Sequence, residues 1–199
     1  HKAGTQTPSI PEFHLDFLFM GTEDAKKTLT ILIVKERLAK AVMGTVLPTK
    51  TRGELAARRT VAFRRELGCE HCAVSVKSDN EPAAKALLEE IGRWRAAAGG
   101  QQMNVESSEA YASQSVESGV KTVQGQIRVL KSALEGKLGA DVAQEHAVIP
   151  WLVDYAGWLA NRAEVGHDGK TPYERSQGKV AKLHGLEFGE AVLFRDRIT

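Results

Sequence analysis

Three runs of apolar residues near the start of the chain have the alternation that is typical of β-strands. In the first, FHLDFLFMG, the apolar residues Phe13, Leu15 and Phe17 alternate with His14 and Asp16. The next two runs, TLTILIVKER and AKAVMGTVLP, are rich in β-branched residues and are separated by short polar breaks. Because the three runs follow each other so quickly, they predict an antiparallel meander.

Helical and strand-like segments alternate after the meander. The runs AVSVKS and QQMNVES predict two further strands, and LEFGEAVLFR near the end of the chain also has the pattern of a strand. Helical periodicity predicts four helices, over Arg52–Leu67, Glu81–Ala98, Ser115–Leu138 and Glu145–Arg162. The clearest of these is Ser115–Leu138, which has a single apolar stripe made of Val116, Val120, Val123, Ile127, Leu130 and Leu134.

This order of elements, βββ-α-β-α-β-α-α, favours an α/β fold. A meander followed by alternating strands and helices suits a five-stranded mixed sheet flanked by helices, in the style of ribonuclease H. In the last helix, Trp151, Tyr155 and Trp158 share one side. We expect these aromatic side chains in the core rather than as a platform for stacking bases.

Composition narrows the picture only a little. The 199 residues are enough for one sizeable domain, and the net charge is +2. Six basic residues against one acid lie in Lys50–Arg65, which suits either a phosphate-binding surface or a solvated helix face. Cys69 and Cys72 have the spacing of half a zinc site, but no second pair of ligands follows, so we expect structural thiols. No apolar run reaches the length of a membrane span, and the chain opens on His1, as expected for part of a longer protein.

Three carboxylates are candidates for chemistry. Asp16 lies in the middle of an apolar strand, where a charge is costly unless something binds it. Asp79 follows the fourth strand, at the sheet edge where α/β folds place their ligands, although it could also simply cap the next helix. Glu117 lies in the first turn of the clearest helix, beside its apolar stripe. Two strand aspartates and one helix glutamate are a ligand set that suits two Mg²⁺ ions.

Four blocks of the sequence resemble the D,D-E integrase core of retroviruses and long-terminal-repeat retrotransposons. They are HLDFLFMG, VKSDNEPA, SQSVESGVKTVQGQIRVLK and WLVDYAGWLANRAEVGHDGKTPYERSQGK, in the family's order and spacing. Within the family, the chain is most similar to copia-type Pol polyproteins. The resemblance implies an extended linker over residues 1–12, a catalytic core over 13–165 and the start of a C-terminal region over 166–199.

By this resemblance, Asp16, Asp79 and Glu117 form the catalytic triad and bind Mg²⁺ or Mn²⁺, with two ions per site. The implied enzyme is a polynucleotidyltransferase that processes the 3′ ends of element DNA and transfers them into target DNA. The resemblance further implies that the protein works as a dimer or tetramer on double-stranded DNA, without a membrane partner. Its expected location is the nucleus and cytoplasmic virus-like particles.

The helix that carries Glu117 also presents a polar strip, formed by Lys121, Gln124, Arg128 and Lys131. These residues lie on one side of the apolar stripe, so the strip predicts a path for DNA phosphates next to the metal site. An ordinary solvent-exposed face remains the alternative, chiefly for Arg128 and Lys131.

Some positions depart from the family pattern. Glu81 stands where the family usually has Gly after Asp-Asn, and SQSVESG lacks the Asn-Gly that commonly precedes the glutamate. Glu109 is a weaker rival for the third ligand. Two further hypotheses therefore stay open: a catalytically impaired or domesticated DNA-binding domain of the same fold, and a cellular ribonuclease H-like nuclease.

Overall fold

A computed structural model describes residues 10–21, 28–48, 53–79, 81–101, 103–107, 113–183 and 185–192. Its five strands are β1 (Glu12–Met20), β2 (Leu29–Glu36), β3 (Val42–Leu47), β4 (Val74–Ser78) and β5 (Met103–Ser107). Its helices are α1 (Glu54–Glu66), α2 (Pro82–Ala97), α3 (Ser113–Leu138), α4 (Val148–Ala163) and the short α5 (Pro172–Gln177). No helix in these ranges is long and apolar enough to cross a membrane.

The strands form one sheet in the order β3-β2-β1-β4-β5. The β1–β2 and β2–β3 pairs are antiparallel, as the meander predicted, whereas β4 and β5 run parallel to β1. Parallel neighbours need crossover connections, which α1 and α2 provide. The predicted five-stranded mixed sheet flanked by helices is confirmed.

Side-chain alternation along the strands divides the core between the two faces of the sheet. Phe13 and Leu15 of β1 point to the face covered by α1 and α2, where they pack with Leu32 and Val76. Leu18 lies on the opposite face, in a cluster with β2 residues and the buried faces of α3 and α4. Because successive strand residues face opposite ways, Asp16 shares the side of Leu18 and therefore lies on the face that α3 covers.

The apolar stripe predicted for α3 is confirmed. Val116, Val123, Ile127 and Leu134 are buried in the cluster on this face, and Val120 and Leu130 are partly buried against it. The helix starts at Ser113, two residues before the predicted start, and ends at Leu138 as predicted. This stripe fixes which flank of α3 faces the sheet and, by helical geometry, where the polar residues beside it lie.

The aromatic residues of α4 are not in the core, which corrects the prediction. The side of α4 that packs on the sheet carries Leu152, Val153, Ala156 and Gly157 instead. A Cβ at Gly157 would lie 3.1 Å from the backbone nitrogen of Gly44, so α4 approaches β3 too closely for large side chains. Trp151 is 73% exposed as a result.

Two predictions for the second half of the chain were also wrong in detail. The helix predicted from Glu145 begins at Val148, because residues 144–147 form a turn. The strand predicted in LEFGEAVLFR is absent from its described part, residues 186–192, which forms turns and irregular structure instead. Residues 193–195 of that run lie outside the described ranges, as do Glu109 and residues 50–52 of the basic segment.

The basic segment Lys50–Arg65 is only partly a solvated face. Arg58 and Arg65 on α1 are exposed, but Arg64 is buried with its guanidinium 5.1 Å from the ring centroid of Phe13. Arg59 forms an ion pair of 2.6 Å with Asp154 of α4. These positions of α1 therefore serve the packing of the domain rather than a continuous phosphate-binding surface.

Candidate active site

The register of the sheet brings two of the three predicted carboxylates next to each other. In the parallel ladder of β1 and β4, Leu15 pairs with Ser78, so the following residues are Asp16 and Asp79. Neighbouring strands lie about 4.8 Å apart, and equal positions in a parallel ladder point to the same face. Asp79, the first residue after β4, therefore lies next to Asp16 at the carboxyl edge of the sheet.

Asp16 and Asp79 also open into one small cavity of about 40 Å³. We call it the aspartate cavity; its other lining residues are Leu15, Phe17, Phe19, Glu81 and Ala84. The Oδ1 atom of Asp16 accepts a hydrogen bond of 2.7 Å from the backbone nitrogen of Phe17, which fixes one carboxylate oxygen. The volume is sufficient for an ion or a water molecule, and a third acid, Glu81, stands at its edge.

Asp79 does not cap the following helix. The N-cap of α2 is Glu81, with Pro82 in the first turn, and no side chain satisfies the cap. The hydroxyl of Ser78 donates a hydrogen bond of 3.3 Å to the backbone oxygen of Asp79. The N-cap residue of α2 is therefore not Asp79, which lines the aspartate cavity.

Glu117 lies in the first turns of α3 and outside the aspartate cavity. Its carboxylate is 56% exposed and forms an ion pair of 2.7 Å with Nζ of Lys121, one helical turn away. The hydrogen bond from Lys121 lowers the pKa of Glu117. Among the residues that the structure describes, no three His, Cys, Asp or Glu side chains lie close enough together to hold a metal ion.

The donor set fits a hard divalent cation nevertheless. Mg²⁺ prefers carboxylate oxygens from one or two side chains and keeps several other positions for water or phosphate, which two adjacent aspartates allow. The exposed Glu117–Lys121 pair contributes little to stability, because water and salt screen it. A cation bound between Asp16 and Asp79 could therefore draw the Glu117 side chain away from Lys121 at little cost.

The polar strip of α3 is described in full, and its four members differ. Lys121 and Arg128 are exposed and Gln124 is half-buried. Lys131 donates a hydrogen bond of 2.5 Å to Oε1 of Glu135. The same oxygen accepts a second hydrogen bond, of 2.8 Å, from the backbone nitrogen of Val142. Lys131 therefore helps to fix the end of α3, whereas Arg128 is exposed and Lys121 pairs with Glu117 on the exposed surface.

A row of alternating charges lies beneath the aspartates on the same face of β1, β4 and β5. Lys77 of β4 forms ion pairs with Glu12 (3.1 Å) and Glu106 (3.5 Å). A carboxylate oxygen of Glu12 is also 2.6 Å from Nε2 of the buried His14. Burial alone would raise the pKa of Glu12, but the hydrogen bonds from His14 and Lys77 outweigh it, so the pKa of Glu12 is lowered. These pairs stabilise the two strands just before Asp16 and Asp79.

The signature segment, residues 161–175 after the aromatic part of α4, makes structural contacts. Asn161 is buried. Its side-chain oxygen accepts a hydrogen bond of 2.7 Å from the backbone nitrogen of Val42, and its side-chain nitrogen donates one of 2.8 Å to the backbone oxygen of Val42. It thereby satisfies the outward-facing backbone of the edge strand β3. Arg162 lies 4.4 Å from the ring centroid of Trp158 and 5.0 Å from that of Tyr173.

Arg175 holds the end of the same segment. Its guanidinium donates two hydrogen bonds to Asp168, one of 2.9 Å to Oδ2 and one of 2.5 Å to Oδ1. It also donates to the backbone oxygens of Lys170 (2.9 Å) and Ala39 (3.1 Å). Helix α5 starts with a capping box between Thr171 and Glu174. The segment is therefore a clip that ties the chain after α4 to the β2–β3 turn.

Cys69 and Cys72 lie at the turn between α1 and β4 and pack partly buried against the core. Burial, with the neighbouring thiol of Cys72, raises the pKa of Cys69 to about 12. A thiol in that state is protonated at neutral pH and is therefore a poor nucleophile. The prediction of structural thiols agrees with this environment.

Sequence reasoning missed Lys35, which lines a second cavity on the other flank of α3. Its signal was a lysine within the apolar run TILIVKER, the same kind of departure that pointed to Asp16. Lys35 pairs in register with His14 and donates a hydrogen bond to the hydroxyl of Ser118, next to Glu117.

Comparison with known proteins identifies the fold. No protein-family model and no curated protein sequence matches the chain. The catalytic core domain of BIV integrase matches with a TM-score of 0.54 at 17% identity, covering 83% of this chain and 92% of that one. The HTLV-2 integrase core in complex with magnesium, in a trimeric form, matches with a TM-score of 0.53 at 14% identity, covering 84% and 97%.

A third solved structure with this similarity is a simian T-cell lymphotropic virus intasome in complex with a PP2A regulatory subunit. It matches with a TM-score of 0.57 at 14% identity, over 94% of this chain and 61% of that one. At these identities the similarity establishes the fold alone. The chain has the ribonuclease H-like fold of retroviral integrase cores.

Proposed function

We propose that this chain is the catalytic core of a DNA integrase, a metal-dependent polynucleotidyltransferase that processes 3′ ends and joins them to target DNA. The observation that supports it most directly is the pair Asp16 and Asp79, adjacent in register and open to one cavity at the carboxyl ends of β1 and β4. In open α/β sheets this is the edge where ligands bind. The copia-type assignment rests on the sequence blocks described above.

Asp16 and Asp79 would hold Mg²⁺ or Mn²⁺, and Glu117 would join them after leaving Lys121. When bound, two such ions make a water or 3′-hydroxyl a better nucleophile and stabilise the leaving oxygen of a phosphodiester. Once released from its ion pair with Glu117, the Lys121 ammonium would be available for a DNA phosphate. The same side-chain movement would thus complete the ligand set and prepare the DNA-binding strip.

Lys121, Gln124 and Arg128 would position the DNA end. They follow Glu117 along one side of α3, so phosphates bound there run towards the aspartate cavity. Lysine and arginine contacts of this kind hold the backbone without reading much sequence. We also expect self-association, because two DNA ends have to be joined together; sedimentation of the protein with and without DNA measures it.

The second candidate is a DNA-binding domain of the same fold with impaired catalysis. It is favoured by the position of Glu117, which pairs with Lys121 outside the aspartate cavity. Glu81 supports it as well, because a third acid on the cavity edge alters the charge around the aspartates. A nuclease that cleaves without joining would be the third outcome of the same assay.

The test is a strand-transfer assay with a labelled oligonucleotide end, a target duplex and Mn²⁺. We compare the wild type with Glu117→Gln, which keeps the shape of the side chain and removes its charge. Glu89→Gln, on the exposed side of α2, is the matched control. We expect joined products from the wild type and Glu89→Gln, and a loss of about 100-fold or more in Glu117→Gln, as for the removal of one charge-stabilising group from an active site.

Equal joining by Glu117→Gln and the wild type would exclude Glu117 from the site. DNA binding without any joining in the wild type would favour the impaired domain. Cleavage of the duplex without joined products would favour the nuclease.

A further inference from the structure

A polar cavity of about 370 Å³ lies between α3, α4 and the β2–β3 turn. We call it the lysine cavity; its polar side chains include Lys35, Lys40, Thr122, Glu164 and His167. Its size falls at the lower end of the range for small-molecule sites. The aspartate cavity and the lysine cavity have no lining residue in common.

The lysine cavity lies on the flank of α3 opposite to Glu117 and Lys121. Ser118 and Thr122, one turn apart, line the lysine cavity. Successive helix residues are turned by about 100°, so Glu117 and Lys121 lie on the other side of the apolar stripe. A ligand in the lysine cavity would therefore not lie on the DNA path proposed above.

Positive charge exceeds negative charge among the residues that line the lysine cavity, where Glu164 is the one carboxylate beside Lys35 and Lys40. Among the described residues, neither Lys35 nor Lys40 has a carboxylate oxygen within 4.0 Å. Lys121, Lys131 and Lys137, all on α3, each pair with a glutamate. An ammonium group that is partly removed from water and has no ionic partner is costly, and an anion would offset that cost.

Lys35 is the more buried of the two. Burial lowers the pKa of Lys35, the charge of Glu164 acts in the opposite direction, and the positive charge of Lys40 lowers it further. Its ammonium is oriented by a hydrogen bond to the hydroxyl of Ser118. Two cations that sense each other across a cavity are an arrangement suited to one shared anion.

Lys40 stands at a fixed point of the β2–β3 turn. Its φ is 60°, a conformation that favours glycine and is uncommon for lysine. The turn is held on both sides, because Glu36 accepts hydrogen bonds from the backbone nitrogens of Leu38 and Ala39, and Arg175 donates to the oxygen of Ala39. The clip therefore fixes the backbone from which Lys40 reaches the cavity.

We propose that the lysine cavity binds a small phosphate-bearing anion between the ammonium groups of Lys35 and Lys40, with the hydroxyl of Thr122 as a further hydrogen-bonding group. Glu164 on the same wall accepts a hydroxyl group of the ligand, which favours an organic phosphate over bare phosphate. The site goes beyond the proposed integrase activity, since none of its residues belongs to the triad or the polar strip. It neighbours Ser118, and its occupancy bears on the turn of α3 that carries Glu117.

The test is isothermal titration of the protein with inorganic pyrophosphate, without divalent cations and at constant ionic strength. The variants are Lys40→Gly and Lys35→Met, and Lys85→Ala on the exposed side of α2 is the control with the same change of charge. Glycine adopts the φ of residue 40 without strain, so Lys40→Gly removes the charge and keeps the turn. Circular dichroism of each variant verifies the fold.

We expect equal dissociation constants for the wild type and Lys85→Ala, and a weakening of about tenfold or more in Lys40→Gly and Lys35→Met, as for the loss of a hydrogen bond to a charged group. Equal binding by the wild type and Lys40→Gly overturns the proposal. The proposal is also overturned if titrating the wild type with pyrophosphate releases or absorbs no more heat than titrating it with sodium chloride of the same ionic strength.

A duplex oligonucleotide distinguishes the source of the phosphate. If the anion is a DNA phosphate, the duplex displaces pyrophosphate and Lys40→Gly weakens both ligands. If it is a free organic phosphate, Lys40→Gly weakens pyrophosphate alone. Glu117→Gln keeps its pyrophosphate affinity in either case. The two proposals can therefore be tested separately, because the integrase activity can be excluded while pyrophosphate binding is observed, and pyrophosphate binding can be excluded while strand transfer is observed.

Discussion

Two regions of the molecule carry the sequence blocks that resemble integrases, and they differ in what holds them. The aspartate cavity brings Asp16, Asp79 and Glu81 together at one edge of the sheet, and Glu117 outside it forms an exposed ion pair with Lys121. The clip is densely bonded, with Asn161 on the edge of β3 and Arg175 in contact with Asp168, Lys170 and Ala39. Similarity of sequence does not separate these roles, but the surroundings do. Acids clustered around a cavity suit a ligand, and a segment with many hydrogen bonds to the rest of the domain suits the fold.

The largest effect is expected at the aspartate cavity. Asp79→Asn keeps the size of the side chain and removes one of two adjacent charges, so strand transfer should fall by about 100-fold or more. The free energy of unfolding should stay within about 0.5 kcal/mol, because Asp79 is exposed and does not cap α2. Strand-transfer rates and urea unfolding of the same preparation measure the two quantities.

Metal binding gives the matching control. Mn²⁺ at about a hundred times its dissociation constant should stabilise the wild type by about 2.7 kcal/mol. For a domain of this size that raises the melting temperature by several degrees. The increase should disappear in Asp16→Asn and persist in Asn104→Ala, an exposed residue of β5. An increase of the same size in Asp16→Asn would remove the aspartates from the metal site.

At the clip, Asn161→Ala should act on stability instead. It leaves the nitrogen and oxygen of Val42 without their partners at the edge of the sheet, at a cost of about 2–4 kcal/mol in the free energy of unfolding. Asn161→Asp can still accept from the nitrogen but cannot donate to the oxygen, so an intermediate loss is expected. Strand transfer per folded molecule should be unchanged in both. Reduced transfer with unchanged stability would assign Asn161 a role in the reaction.

The next effect concerns DNA binding alone. Arg128→Ala should reduce the slope of log affinity against log salt by about 0.9, the value for one phosphate contact. Lys137, which pairs with Glu187 near the far end of α3, is the comparison, and Lys137→Ala should leave the slope unchanged. Fluorescence anisotropy with a labelled duplex at several salt concentrations gives both slopes. Equal slopes for Arg128→Ala and the wild type would mean that DNA does not follow this strip.

The smallest effect is a dependence on acid. Hydrogen bonds from Arg175 hold the pKa of Asp168 well below its usual range. A carboxyl group with a lowered folded-state pKa contributes stability above its unfolded pKa of about 3.9 and loses it as the pH falls further. Asp168→Asn should therefore lower the urea midpoint at pH 7 and narrow its difference from the wild type towards pH 2. A constant difference across this range would exclude the ion pair as the cause.

The sequence predicted the sheet and much of the site for physical reasons that are local. Alternation identified the strands, and the step of three and four residues identified the buried stripe of α3. The adjacency of Asp16 and Asp79 could be expected because the ends of parallel strands meet at one edge of a sheet. The position of the Glu117 carboxylate could not be predicted. An exposed side chain can adopt several conformations, and the pattern of residues along the chain does not determine which of them is populated.

The aromatic residues of α4 show what periodicity cannot decide. Two flanks of this helix are apolar, one with Trp151, Tyr155 and Trp158 and one with Val153, Ala156 and Gly157. The small residues face the sheet because Gly157 and Gly44 let the helix and β3 approach closely. Tyr155 instead stacks on Trp158 and contacts Phe188, with ring centroids 5.3 Å apart in both pairs. That close approach joins residues far apart in sequence, and no local pattern encodes it.

The parallel register of β1 and β4 has a consequence for how such a protein can change over time. Inserting one residue between Val74 and Ser78 would turn every later side chain of β4 to the opposite face, and the Asp79 carboxylate with it. An insertion in the connections before or after the strand does not change which face the side chains of β4 point to. Lineages descended from this chain should therefore vary in the length of their loops, while the distance from the start of β4 to its aspartate changes only in steps of two.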